Sequence, residues 1–188
     1  MLEKMFPQNG AVVPEIRFKG FTEAWEERKL RDICTYHSSS LSMGDAIVDG
    51  KYDFYNANQV IGVTNTNVQT CEYITIIKDG SGVGRVRLLP KNTSFIGTMG
   101  AFHCKDSNIH FLFCCLLKTD FSKHITGATI PHIYFSNYGN DNYYVPNINE
   151  QTKIGSFFTN LDNLITLQKR ELEKLNNIKK ACLEKMFV

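Results

Sequence analysis

Between Trp25 and about Asn108 the chain alternates short runs of β-branched and aromatic residues with Gly, Asn and Asp. Such runs are Ile47 to Val48, Phe54 to Tyr55, Gln59 to Val63, Glu72 to Ile77, Gly84 to Leu89 and Ser94 to Ile96, with turns at Asp49-Gly50 and Asp79-Gly80. This pattern predicts a compact, mostly β region. From Ile109 to Lys123 the apolar residues are too dense for an alternating strand and neither Gly nor Pro interrupts them, which predicts a buried helix. A Gly/Pro-marked segment, Thr126 to Pro146, then leads into a different pattern. From about Glu150 to Phe187 apolar side chains fall at Ile154, Phe158, Leu161, Ile165, Leu172, Leu175, Cys182 and Met186, and Phe157, Leu164 and Ile178 widen the stripe. Gln168 and Lys179 interrupt the alternating three and four spacing. This is one long amphipathic helix of about 55 Å, longer than the preceding domain can cover, so its stripe needs another helix. Gln168 on that stripe is either a device that fixes register or an ordinary solvated residue.

Leu2-Glu3-Lys4-Met5-Phe6 recurs at the other extreme as Leu183-Glu184-Lys185-Met186-Phe187. The repeat predicts a parent architecture of two like units, with this chain beginning where a preceding copy of the unit ends. Pro7 to Phe21 reads as a Pro/Gly-punctuated connector, with domain structure starting near Ile16. The expected division is therefore 1–15 as repeat end and connector, 16–148 as a domain, and 149–188 as the long helix. The fold class is α+β.

Composition narrows the class without naming it. A chain of 188 residues with 43% hydrophobic content can bury a substantial core. The longest apolar run, Phe111 to Leu117, is far shorter than the roughly 20 residues a membrane-spanning helix needs, and the amino terminus has no basic region followed by an apolar stretch. A cytoplasmic location is expected. The six cysteines are scattered without Cys-x-x-Cys or Cys/His ligand spacing, which predicts reduced, buried thiols and no metal site. Net charge is +2, yet Gly80 to Lys105 holds Arg85, Arg87, Lys91 and Lys105 with no acidic residue, so a locally basic surface is expected on a neutral domain.

No catalytic constellation emerges. Asp79-Gly80-Ser81-Gly82-Val83-Gly84-Arg85 resembles a phosphate cradle but lacks the Lys-Ser/Thr ending of a P-loop, and strand-like residues follow it. A tight loop between strands is the better reading. The five histidines share no ligand spacing, and no nucleophile, methyltransferase or nuclease pattern appears. What remains is loops rich in Tyr, Asn, Ser, Thr, Arg and Lys. Lys51, Tyr52, Tyr55, Asn56, Asn58, Ser81, Arg85, Arg87, Lys91, Thr126, Thr129 and His132 are the candidates for DNA contact, since Asn pairs with adenine, Arg with guanine, and hydroxyls with either. Loops of this composition also serve simply to cover a β core.

Several of these segments together resemble the specificity subunit of type I restriction-modification systems. They are Leu2 to Pro7, Val13 to Phe21 with Trp25-Glu26, Lys51 to Asn58, Asp79-Gly80-Ser81 with Gly84-Arg85-Val86, Thr126 to His132, and Pro146 followed by Glu150-Gln151 and the long helix. Each is soft alone; their order and spacing carry the resemblance over nearly the whole chain. The resemblance implies a target recognition domain followed by a spacer helix, corresponding to one half of a subunit that usually carries two of each with antiparallel helices. It also implies that the chain reads one half of a bipartite DNA target and docks methylation and restriction subunits. By the same implication the chain is not catalytic by itself and holds no cofactor, while S-adenosylmethionine, ATP and Mg2+ belong to partner subunits. One domain cannot read a two-part target, so the helix is expected to pair with an identical chain or with a sister half. A truncated, non-functional fragment is a third expectation. The rival readings are a dimerisation subunit that never touches bases and a stand-alone DNA-modifying enzyme.

Overall fold

The computed structural model describes residues 3–8 and 10–186; Leu2, Phe187 and Val188, which belong to the repeat and the helix end, lie outside the described residues. Along the chain run strand β1 (Glu26–Lys29), the one-turn helix α1 (Leu30–Ile33), β2 (Cys34–Ser38), β3 (Tyr52–Tyr55), β4 (Val60–Thr64), β5 (Tyr73–Ile77), β6 (Val86–Leu89), β7 (Thr93–Phe95) and β8 (Met99–Cys104). Then come α2 (Ile109–Lys118), the one-turn helix α3 (Phe135–Tyr138), β9 (Asn142–Val145) and α4 (Ile148–Met186). The expected α+β class, mostly strands followed by a long helix, is what the chain adopts.

Three sheets form: β2-β8-β5-β6, all antiparallel; β4-β3-β7, in which β3 and β7 run parallel; and the antiparallel pair β1-β9. Strand β5, Tyr-Ile-Thr-Ile-Ile, is buried at every position because apolar material covers both faces of its sheet. The period of two divides its side chains: Ile74 and Ile76 join Phe102 in the cluster that includes α2, while Tyr73 joins Leu89, Met99 and Ala101 against Tyr55 and Phe95 of the three-stranded sheet.

Helix α2 starts at Asn108, whose side chain accepts from the backbone N–H groups of His110 and Phe111, a regular N-cap. It stops at Lys118 and not at Lys123, because Thr119 turns extended and residues 122–124 form a separate 3-10 turn. Helix α4 packs on α2 through its first turns, with Glu150, Gln151, Ile154 and Gly155 buried. Its start at Ile148, two residues earlier than expected, follows from Asn147, which accepts from the Glu150 N–H at 3.0 Å. Gln151 ties the two helices, accepting from Asn108 N–H at 2.9 Å and donating to Pro146 O at 2.8 Å.

Gly155 permits this contact. A Cβ there would lie 2.6 Å from Asn108 Oδ1, 2.9 Å from His110 Cβ and 3.0 Å from Phe111 N. Alanine is intrinsically the better helix former by about 1 kcal/mol, but forcing the helices apart costs about 1–3 kcal/mol. Gly155→Ala is therefore expected to lower stability, by up to about 2 kcal/mol net in a urea titration, against the sign of its helix propensity.

A charge pair fastens the incoming chain to the base of α4. Arg17 donates to both carboxylate oxygens of Glu150, at 2.7 and 2.8 Å, with the Glu150 side chain wholly buried and Arg17 13% exposed. The hydrogen bond to Glu150 holds the guanidinium above its ordinary pKa. Phe18 packs edge-on against Phe157, and Lys153 lies over the rings of Phe18 and Phe21. Packing begins before Ile16, which corrects the expected boundary. Met5 and Phe6 are buried, Phe6 stacking on Phe111 and meeting Trp25 edge-on. Met5 and Phe6 of the first copy of the pentapeptide are thus core, while Glu3 and Lys4 are exposed. In the second copy Leu183 is 46% and Met186 73% exposed.

The helix stripe needs one correction too. Ile154 is buried in the domain's own core and Phe158 is half-buried against it, so neither belongs to a free pairing face. The unpartnered stripe starts at Leu161 and runs outward through Ile165 (50% exposed), Leu172 (59%), Leu175 (63%), Cys182 and Met186. From Ile165 outward these positions are exposed, while Leu161 at the root of the stripe is half-buried. No helix among the described residues is long and apolar enough to cross a membrane.

All six cysteines are free thiols. Cys34, Cys114 and Cys115 are buried as expected, and Cys104 is half-buried, but Cys71 and Cys182 are exposed, the latter because its helix projects beyond the domain. Burial pushes the Cys34, Cys104 and Cys114 thiols up to about 12, which makes them poor nucleophiles and ligands at neutral pH.

Candidate nucleic-acid interface

The glycine-rich stretch closes the β5–β6 hairpin, as its sequence predicts for a loop between strands. Gly80, Gly82 and Gly84 all take left-handed φ, at +88°, +83° and +87°. At Gly84 a Cβ would also meet Phe121 at 2.9 Å. The loop is internally tied, Gly84 N–H donating to Ile77 O and Arg85 N–H to Gly82 O.

This loop joins the other two candidate segments. On one side, Arg85 donates to Ala57 O at 2.8 Å and to Asn58 Oδ1 at 2.6 Å, and Arg87 donates to Asn58 O at 3.2 Å. Both arginines grip the tip of the β3–β4 hairpin. That tip is shaped by Asn56, whose Oδ1 accepts from the N–H groups of Asn58 and Gln59, both at 2.8 Å. On the other side, Gly80 N–H donates to Pro131 O, Asp79 forms a bridge with His132, and Ile133 N–H donates to Lys78 O. Thr126 and His132 bond each other in both directions and close the 126–132 segment into a small loop. Gly127, at φ +87°, makes the turn, with no room for a Cβ against Ile130 O. Thr129 and Ile130 stand exposed at its crest.

Asn56, Asn58, Ser81, Arg85, Arg87, Thr126, Thr129 and His132 are therefore brought together along one edge of the domain. Lys51, Tyr52 and Lys91 are not. Lys51 and Tyr52 lie at the far end of β3, where Lys51 N–H donates to Asn65 Oδ1 and Tyr52 pairs with Thr64. The parallel register of Asp53 with Thr93 carries Lys91 to that same end. The expected basic surface of Arg85, Arg87, Lys91 and Lys105 is thus divided: the two arginines grip the hairpin tip, Lys91 lies at the far end of β3, and Lys105 donates to Arg31 O at 2.9 Å elsewhere on the domain. Tyr55 is corrected as well: it is 9% exposed, packs in the smaller core cluster, and carries Arg87 over its ring at 5.2 Å. Its place in a strand whose last two residues point inward removes it from any ligand-facing set.

Two exposed groups and one half-buried lysine at this edge lie outside the candidates named from the sequence. Gln59 sits on the hairpin tip, and Tyr134, 54% exposed, meets the His132 ring edge-on at 5.0 Å. Lys78 neutralises Asp79, the acidic residue of the glycine loop, at 2.5 Å. Gln and Tyr beside a Gly-rich turn carry no periodic signal, so only the fold reveals their company. Elsewhere, His103 contacts Gln69 and Cys71 at 2.9 and 3.1 Å, and burial, then the neighbouring His37, holds it below its ordinary pKa. Among the described residues no group of three or more His, Cys, Asp or Glu is placed to hold a metal ion.

The edge offers amides, hydroxyls, an imidazole and two guanidiniums on backbone held by tight turns. These are groups that bond to base edges and phosphates.

Comparison with known proteins agrees with this chemistry. The family described as "Type I restriction modification DNA specificity domain" matches residues 22–177. The type I restriction enzyme MjaVIII specificity subunit of Methanocaldococcus jannaschii is 27% identical over 180 residues, covering 88% of this chain and 42% of that protein. The chain thus spans about two fifths of this relative. Among solved structures, the S subunit of the type I restriction-modification system of M. genitalium aligns with a TM-score of 0.60 at 22% identity, over 78% of this chain and 43% of the other. The HsdS subunit of Thermoanaerobacter tengcongensis aligns with a TM-score of 0.63 at 16% identity, over 90% and 43%. With the family matched from Thr22 into the outer half of α4, and the same fold in two S subunits, the chain belongs to the type I restriction-modification DNA specificity family.

Proposed function

We propose that this chain is a sequence-reading half of a type I restriction-modification specificity subunit, contacting one half of a bipartite DNA target through the edge formed by residues 56–59, 78–85 and 126–134. The observation that carries this reading is the double anchoring of the glycine loop: to the hairpin tip through Arg85 and Arg87, and to the 126–132 loop through Gly80 and Asp79. Three segments far apart in sequence become one surface of fixed shape, which recognition to within a hydrogen bond requires. Methylation and restriction chains would dock on the same subunit and supply the chemistry, with S-adenosylmethionine, ATP and Mg2+ bound there. Cytoplasmic DNA is the matching location.

In this reading Arg85, itself exposed, braces the reading edge, since its guanidinium is already committed to Ala57 and Asn58. In complex with its methylation subunit, Arg85→Ala is expected to lower affinity for the cognate target by about 1–3 kcal/mol and to relax the base preference beside Asn58, with the salt slope unchanged. Equal weakening on all sequences, with a slope reduced by about one, would instead make Arg85 a phosphate contact. Unchanged binding would remove the anchored edge from the account.

A further inference from the structure

We propose that Cys71 is a modification site, a thiol that hydrogen peroxide oxidises to a sulfenic acid, with His103 as its base and Gln69 holding that base in one tautomer. Gln69 pairs with Thr93, towards the end of the β3–β4 hairpin opposite its tip, so the site is no part of the reading edge and does not rest on it.

The proton positions follow from the amide of Gln69. Its Nε2 donates to Asn67 O at 2.8 Å and lies 3.3 Å from Asn67 Oδ1, which turns its Oε1 to His103 Nε2, at 2.9 Å. An amide oxygen only accepts, so His103 Nε2 carries the hydrogen. The other ring nitrogen, Nδ1, is then a bare acceptor in the neutral imidazole, and Cys71 Sγ lies 3.1 Å from it. The thiol donates and the ring accepts. This is a nucleophile on its base, with the base oriented by a third group.

The constellation is held from several sides. Gln69 is 9% exposed, and its main chain is tied to the start of β7, donating to Thr93 O at 2.8 Å and accepting from Asn92 N–H at 2.6 Å. The titratable groups that face His103 are Cys71, Tyr73 of β5, stacked on it at 5.8 Å, and His37 of β2, edge-on at 5.0 Å. Burial pushes Tyr73 up to about 12, and burial with His37 holds His103 below its ordinary value, so both are neutral at pH 7. Cys71 itself is exposed, which gives an oxidant access to the sulfur.

In the reaction the sulfur electron pair attacks one peroxide oxygen, the S–O bond forms and the O–O bond breaks. His103 Nδ1 takes the thiol proton and returns it to the departing oxygen, which leaves as water. Thiol and peroxide thus become sulfenic acid and water, sulfur being oxidised and peroxide reduced.

The test is the rate of sulfenic acid formation at Cys71 in the full chain, with Cys182→Ser removing the other exposed thiol, trapped by dimedone and mapped by mass spectrometry. An unassisted thiol reacts through its thiolate, so its rate climbs about 20-fold between about pH 6.5 and about pH 8. Cys71 is expected to change by less than about 2-fold over that range and to slow only below it, as His103 becomes charged. His103→Phe, which keeps a ring against Tyr73, is expected to slow Cys71 by at least about 10-fold at pH 7 and to bring back the steep climb. Gln69→Glu sets a carboxylate on the imidazole and is expected to move the lower limb of the profile to higher pH; an unmoved limb would overturn the role of Gln69. A steep climb with His103 in place would overturn the proposal, and that measurement depends on no substitution in the constellation. An unchanged rate in His103→Phe would overturn it equally.

Discussion

With Leu172 and Leu175 both replaced by glutamate, the chain is expected to keep its domain fold and lose its partner. The two leucines are 59% and 63% exposed and touch nothing in the domain, so thermal unfolding of the domain should be unchanged within about 0.5 kcal/mol. In helices paired through the exposed stripe they would lie in the seam, where the substitution would set carboxylates among apolar side chains. Each unpaired buried charge costs several kcal/mol or forces the seam open. Sedimentation velocity should show at least about a 100-fold weaker dimer. With pairing lost, a two-part target should no longer be protected in a footprint, even though every residue of the reading edge is intact. A stable dimer carrying both glutamates would mean that α4 is not the pairing element.

The largest loss of fold stability is expected at the base of the same helix. Arg17→Ala strands Glu150, a carboxylate with no exposure and no other side-chain cation on it. Breaking a buried pair in this way costs about 3–5 kcal/mol, which for a domain of this size lowers Tm by roughly 6–20 °C. The double replacement Arg17→Met with Glu150→Leu should recover most of the loss, because the cost lies in the stranded charge and not in the missing attraction. Calorimetry of the two variants separates these. If the double variant is no better than Arg17→Ala, the pair acts through geometry, by orienting residues 16–21 on α4.

How far the sequence led can be judged element by element. The long helix was legible because its apolar period, interrupted only at Gln168 and Lys179, leaves no competing pattern, and the β5–β6 glycine loop because glycines at alternate positions disfavour a helix and a strand-like run follows. Strand β1 was not legible: Glu-Glu-Arg-Lys has no apolar alternation, and it is a strand only because Asn142 to Val145 pairs with it from more than a hundred residues away. Strand β9 was hidden in a Gly/Pro-marked segment for the same reason. At the candidate site the fold brings only some of the named residues together. Lys51 and Asn58 are near neighbours in sequence yet lie at opposite ends of the β3–β4 hairpin, and Lys91 joins Lys51 only through the parallel register of β3 with β7. Ile154 belongs to the helical stripe by period, but whether a stripe residue meets its own domain or a partner depends on where α2 ends, which period does not encode.

The central proposal, that this chain reads one half of a two-part DNA target, is tested most directly by methylome sequencing of cells carrying the methylation subunit with and without this chain. The account predicts a two-part methylated motif that appears only with the chain, one part of which changes when residues of the reading edge are replaced. A motif that persists unchanged without the chain would contradict sequence reading.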